Sequence, residues 1–351
     1  KKKGVQTAEP IFQARKKCPY LEIYPPNYKI YKYYSDEMYK YLLNYTDIIE
    51  RYSIDECFLD YTDLVLLFGD PIKTAYKIKE DIKNKFGFTV NVGIGNNKLC
   101  AKMASDFEKP DKVHTLFTNE IKNKMWPLPV SDLFMIGKSS SKKLNELGIL
   151  TIKELATIDS SYLYKYFKNR ANQMIESANG IDNSKVEYEY TDPKSISSST
   201  SFAYNYKTKE EIYPILLELS KEITIKLKNK KMYTSNVSIW IKYTDFTKIS
   251  KQTTLNNPTD EINDIYNYSI KLFNSIWNEE PIRALCVAIS SFSKTNAVQL
   301  NLFNNNISKQ KVTKHDEKLD KIVSELNNKY KGIITYANKI KKEGHYEQRN
   351  N

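Results

Sequence analysis

The chain has 351 residues, enough for two to three domains with more than one core. At 40% hydrophobic and 13% aromatic it is too apolar for wholesale disorder, and no stretch approaches the ~20 apolar residues of a membrane-spanning helix. A formal charge of +12 favours an anionic partner, nucleic acid first.

Only five of the 54 basic residues are Arg, and the abundance of Lys, Tyr and Asn is also what AT-rich codons give. The four cysteines, Cys18, Cys57, Cys100 and Cys286, stand far apart and the three histidines stand alone. That spacing argues against a zinc site or a disulfide framework and suits a reducing cytosol. No basic-then-apolar leader opens the sequence. The first residue is Lys1 rather than Met, so the chain is expected to start inside a longer product.

Pro10, Pro19, Pro25 and Pro26 break up residues 1–27. Residues 28–45 carry Tyr31, Tyr34, Met38, Tyr41, Leu42 and Tyr45 at the spacing of an amphipathic helix. Residues 48–62 read as a strand with two carboxylates, Asp55 and Glu56, in its middle. On a flat strand they would face opposite ways; at a turn or strand end both reach one site. Asp70 followed by Pro71 starts a helix over 71–86. Residues 89–95 form a strand ending in glycine, and 97–107 a short helix stopped near Pro110. Residues 130–180 are helical throughout and contain Ile136-Gly137 and Leu147-Gly148-Ile149, read as two short helices around a glycine turn and a third starting near Thr151. Residues 181–194 lack a period and read as a linker. Residues 195–293 run β-α-β-β-α-β, a ferredoxin-like split unit. Residues 296–314 read as flexible, and 317–330 as a last helix striped by Leu319, Ile322, Val323 and Leu326.

Two segments carry the chemistry. Adjacent carboxylates within an apolar run need a counter-ion, and hard oxygen donors suit Mg²⁺. Gly93-Ile94-Gly95 feeding a helix leaves free N–H groups and room for close backbone approach, and Lys98, Lys102 and Lys109 offer point charges for phosphate. By itself each segment is equally an acidic turn or an ordinary strand-to-helix turn with solvated lysines.

Together, SIDECFLD at 53–60 and GIGNNKLCAKMASDFEKP at 93–110 resemble the paired motifs of the Y-family DNA polymerases, the translesion enzymes of the DinB and UmuC types. The resemblance implies an α+β, multidomain right-hand polymerase. It places a remnant of the fingers at 1–27, a ferredoxin-like palm at 28–125, and a helical thumb with a helix-hairpin-helix at 126–187. A linker follows at 188–194, a βαββαβ little finger at 195–293, and a tail at 294–351. It implies two Mg²⁺ ions at Asp55 and Glu56, the catalytic carboxylates, and a triphosphate met by Lys109. Gly137, Lys138 and Lys142 would hold a DNA phosphate at the thumb hairpin, where the family commonly has glycine in place of Met135. Ser53, Ser105 and Asp106 would shape the site. Gln299, Leu300, Leu302 and Phe303 resemble the QLxLF peptide that docks on the bacterial sliding clamp.

The implied partners are primer-template DNA, dNTPs, the clamp and UmuD-like accessory proteins, with no membrane. The implied setting is the cytoplasm and its nucleoid, in DNA repair and the SOS response. The tail and the EPIFQARKKCP segment lean toward the UmuC-like branch. The family's first catalytic Asp and its steric gate are expected upstream of Gly4, so these 351 residues alone are expected to bind primer-template without extending it. The rival readings are an inactive paralogue that binds DNA and the clamp, and a non-enzymatic DNA-binding module.

Overall fold

A computed structural model describes residues 2–189 and 191–296. The expected last helix at 317–330 and the docking peptide at 299–303 lie outside the described residues. The chain divides into two compact units, Lys1–Asp192 and Pro193–Asn351.

The first unit opens with α1 (Ile11–Lys17) and α2 (Tyr28–Leu42), the second capped by Asn27, whose Oδ1 accepts from Ile30 N at 3.3 Å. The expected strand at 48–62 is a hairpin instead, β1 (Ile49–Arg51) against β2 (Cys57–Leu59). Its turn closes through Tyr52 N and Ser53 N donating to the Glu56 carbonyl at 3.0 and 3.2 Å. A single turn, α3 (Val65–Phe68), precedes α4 (Pro71–Phe86). The latter starts at Pro71, with Asp70 Oδ1 accepting from Ile72 N at 2.8 Å, and stops at the left-handed Gly87. Met38, Tyr41, Leu42, Tyr45, Ile49, Ile78 and Ile82 pack α2, α4 and β1 into one apolar cluster.

Next come β3 (Val92–Gly95), α5 (Lys98–Asp106) and β4 (Val113–Leu116), a parallel pair joined through its helix. Gly93 is the closest approach of helix to strand. A Cβ there would lie 1.9 Å from the Ala101 carbonyl oxygen and 2.4 Å from Ser105 N. The expected ferredoxin-like palm is therefore only partly realised. The described strands of this region form two separate two-stranded sheets, because no backbone ladder joins the β1–β2 hairpin to β3. Side chains of α5 bridge the gap.

After α6 (Ile121–Lys124) come α7 (Lys138–Glu146), α8 (Ile152–Thr157), α9 (Ser160–Phe167) and α10 (Arg170–Ala178). The first of the two helices expected around the glycine turn is only a 3₁₀ turn, Val130–Asp132, held between Pro129 and an extended Leu133. The boundary expected at 125/126 does not separate two cores. Leu99, Cys100, Met103 and Ala104 of α5 share one apolar cluster with Val130, Leu144, Leu155, Met174 and Ala178. The expected linker is likewise half fixed. Leu99 N donates to Asp182 Oδ2 at 3.1 Å, Asn97 Nδ2 to the Gly180 carbonyl at 2.8 Å, and Glu187 N to Glu50 Oε2 at 2.8 Å.

In the second unit β5 (Ser195–Tyr206), α11 (Lys209–Asn229), β6 (Tyr233–Tyr243), β7 (Lys248–Thr259), α12 (Ile262–Ile276) and β8 (Ile282–Ser293) follow the expected β-α-β-β-α-β order. The sheet runs β5-β8-β6-β7, every neighbour antiparallel. Each β-α-β crossover thus spans one inserted strand: β8 lies between β5 and β6, and β6 between β7 and β8. On α11 the stripe Ile212, Leu216, Leu219, Ile223 and Leu227 is buried against Val237, Ile239, Ile241 and Tyr243, the alternating face of β6.

Replacing Gly93 by Ala should cost about 3 kcal/mol, since the new methyl meets rigid backbone atoms. Urea denaturation checks this, and an unchanged midpoint would contradict the close approach.

Candidate active site and nucleic-acid interface

The β1–β2 turn places Asp55 and Glu56 side by side, the turn geometry that lets both reach one site. Asp55 is exposed, and its Oδ1 accepts from Ser53 Oγ at 2.7 Å. Glu56 Oε1 meets Lys102 Nζ at 2.6 Å. Lys102 also meets Asp106 at 3.1 Å, and Asp106 meets Lys109 at 2.5 Å. A chain of alternating charge therefore runs Glu56, Lys102, Asp106, Lys109. Burial alone would lower the Lys102 pKa, but its hydrogen bonds to Glu56 and Asp106 outweigh it and hold the pKa above the ordinary lysine value. Burial would raise the Asp106 pKa, and the hydrogen bonds from Lys109 and Lys102 reverse that and hold it below the usual carboxylate range.

The three lysines read as phosphate contacts divide. Lys98 and Lys102 lie four residues apart on α5, one above the other on the face toward the hairpin. Lys98 Nζ is taken by Glu50 Oε2 at 2.5 Å, sits 5.2 Å from the Phe58 ring centroid and donates to the Lys185 carbonyl at 3.2 Å. Lys102 is taken by Glu56 and Asp106. Only Lys109, with its side chain 51% exposed, is placed to meet an incoming anion. Glu50 and Asp182 escaped sequence reasoning, because their partners lie tens of residues away with no local signal. The Lys98–Lys102 pair did carry one, its helical spacing. Ser105 Oγ donates to the Lys102 carbonyl at 2.8 Å.

The metal question turns on the donor set. Among the described residues no group of three or more His, Cys, Asp or Glu could hold a metal ion. Asp55 and Glu56 supply two adjacent hard oxygen ligands on an accessible turn. That fits Mg²⁺, which binds through one or two carboxylates and completes its shell with water and substrate phosphates.

The thumb segment gathers the other predicted residues. Gly137 precedes α7 with no side chain capping the helix, so the first N–H groups of α7 lack partners. Gly137, Lys138 and Lys142 share a groove of about 750 Å³ with Ser131, Ser141 and Asn145. Met135 occupies the position where a hairpin glycine was expected, and it adopts the left-handed backbone that glycine favours, at φ +70°. The hairpin keeps its shape despite the substitution. Phe134 ties it to the palm residues, with its ring centroid 5.9 Å from that of Tyr52 and its N–H donating to Met103 Sδ at 3.3 Å.

Comparison with known proteins matches most of the chain. Residues 1–106 match the impB/mucB/samB family, 118–149 the IMS family HHH motif, and 193–302 the impB/mucB/samB family C-terminal domain. A DNA polymerase IV of Clostridium acetobutylicum is 43% identical over 330 residues, covering 94% of this chain and 82% of that protein. The chain belongs to the Y-family DNA polymerases, in its DinB-type branch. The lean toward the UmuC-like branch is thereby corrected. DNA polymerase IV 1 of Bacillus subtilis is 33% identical over 334 residues, 93% of this chain and 78% of that protein. Among solved structures, a Y-family DNA polymerase chimera of Dbh and Dpo4 superposes with a TM-score of 0.74 at 25% identity, over 86% of this chain and 85% of that one.

Relief of the left-handed Met135 is worth about 1–2 kcal/mol, against about 0.5–1 kcal/mol of added glycine entropy. The side chain is 67% exposed, so little burial is lost. Met135→Gly should therefore stabilise this Y-family protein by about 0.5–1 kcal/mol in guanidinium unfolding; a loss of stability would show that the methionine is not strained.

Proposed function

We propose that the gene product bearing this chain is a DNA-directed DNA polymerase that adds dNTPs to a primer on damaged template, with Asp55 and Glu56 among its catalytic carboxylates. The observation that carries this is the turn of the β1–β2 hairpin, which sets Asp55 beside Glu56, the carboxylate linked through Lys102 and Asp106 to the exposed Lys109. The family membership supports the polymerase activity.

Asp55 and Glu56 would hold Mg²⁺, two ions as the family pattern implies. The bound metal would supply charge stabilisation for in-line displacement at phosphorus. Asp55 is the open ligand, oriented by Ser53. Glu56 is the braced one, its Oε1 turned to Lys102. Lys109 meets the triphosphate as a point charge. The primer 3′-oxygen attacks the α-phosphorus and pyrophosphate leaves.

The thumb groove holds the duplex without reading its sequence. The free N–H groups at the start of α7 and the Lys138 and Lys142 ammoniums suit one backbone phosphate. That the basic residues are nearly all lysine suits backbone holding more than base readout. The wider setting follows the same reading: error-prone synthesis in damage tolerance and the SOS response, in the cytoplasm at the nucleoid. Gln299, Leu300, Leu302 and Phe303 would dock on the sliding clamp by spaced apolar anchors, and UmuD-like proteins would be accessory partners.

Two measurements test the proposal. In primer extension with Mg²⁺ and dNTPs by the intact gene product, Asp55→Ala should lower the rate by about 10³-fold or more. Extension at the parent rate would remove Asp55 from the chemistry. Lys138→Ala with Lys142→Ala should weaken DNA binding alike for all sequences and flatten its log–log salt dependence by about one to two. An unchanged slope would move the phosphate contact elsewhere.

A further inference from the structure

The chain Glu56, Lys102, Asp106, Lys109 has one link more enclosed than the rest. The Lys102 side chain is 14% exposed, against 37% for Glu56, 42% for Asp106 and 51% for Lys109. The most enclosed member is thus neither a proposed metal ligand nor the proposed triphosphate contact, but the ammonium between them. Two carboxylates occupy it at 2.6 and 3.1 Å, so it is spent on protein partners rather than open to a substrate phosphate.

Its carrier is rigid. Leu99, Cys100, Met103 and Ala104 on the same helix are buried in the core, and the Gly93 contact fixes the helix on its strand. The hairpin bearing Glu56 has no backbone bonds to that strand. Its strands are held by Ile49 in the apolar cluster, by the Glu50–Lys98 pair, and by Arg51, which meets Asp36 at 2.8 Å and donates to Ser35 Oγ at 2.8 Å. Tyr52, where the turn begins, packs on Phe134. At the tip, the Glu56 carboxylate is held by its bond to Lys102.

We propose that Lys102 is a positioning residue: its ammonium aims Glu56 into the reacting centre and, through Asp106, restrains Lys109, so that the carboxylate and the triphosphate-binding lysine are held as one unit. This rests on the roles given above to Glu56 and Lys109. Lys102 takes Glu56 Oε1, which leaves Oε2 as the atom for a metal. Asp106 takes Lys109 from one side, which limits the arc its ammonium sweeps before a triphosphate arrives. A misplacement on the order of 1 Å at such a group costs about 10²-fold in rate.

The test is equilibrium binding of a correct dNTP to the intact gene product on primer-template, with Ca²⁺ in place of Mg²⁺ so that no turnover intervenes, alongside steady-state extension with Mg²⁺. Lys102→Met should weaken dNTP binding about 10-fold and lower kcat about 10²-fold, with primer-template affinity unchanged. Lys102→Arg, which keeps the charge and the reach to both carboxylates, should recover dNTP binding to within about 3-fold. Asp106→Asn, which frees Lys109 but keeps the Lys102–Glu56 bond, should raise the KM for dNTP with little change in kcat. If Lys102→Met lowers only the melting temperature, with dNTP affinity and kcat within about 2-fold of the parent, the lysine is a structural strut and the proposal fails. Asp55→Ala separates the two readings: retained extension there overturns the hairpin as the active site, whereas its loss beside a fully active Lys102→Met overturns the positioning role alone.

Discussion

Two lysines one helical turn apart on α5 hold the catalytic half of this molecule together. The β1–β2 hairpin and the β3–β4 pair share no backbone ladder, so nothing in the hydrogen-bonded framework fixes one against the other. Lys98 reaches Glu50 near the base of the hairpin, and Lys102 reaches Glu56 at its turn. The Lys98–Glu50 pair is largely shielded from water, where removing one partner strands a charge at a typical cost of several kcal/mol; Glu56 of the second pair stays partly exposed, so that pair contributes less. Hairpin orientation, carboxylate placement and the start of the tether all follow from this contact.

The same helix serves three regions. Its apolar face belongs to the thumb core, its glycine-facing side to the palm strand, and its N-terminal N–H groups to Asn97 and to Asp182 of the linker. A helix so fully engaged has little freedom to shift alone. Segment 180–187 is consequently part of the first unit.

The thumb hairpin shows a fold tolerating a poor local choice. Met135 holds the left-handed backbone although glycine would do so at lower cost. Phe134, wedged against Tyr52 and Met103, and the buried Leu133 fix the chain on the preceding side, and Gly137 opens α7 on the other. Local strain of this size is outweighed by burial of the flanking residues.

The sequence by itself determined the elements whose signals are local. The capped helix at 71–86, the amphipathic helix over 28–45 and the paired motifs around Asp55 and Lys109 all rest on period, capping and spacing within a few residues. It also determined the family, because two motifs in fixed order are more specific than either alone. Only the tertiary structure decided which lysines are spent on the scaffold, since Glu50 and Glu56 lie 48 and 46 residues from Lys98 and Lys102. It alone showed that the palm strands stay in two pairs, that α5 belongs to the thumb core, and that half the linker is strapped down. Each of these is a long-range contact. No window of sequence holds both partners, and the free energy that selects them comes from burial completed only when the whole unit has closed.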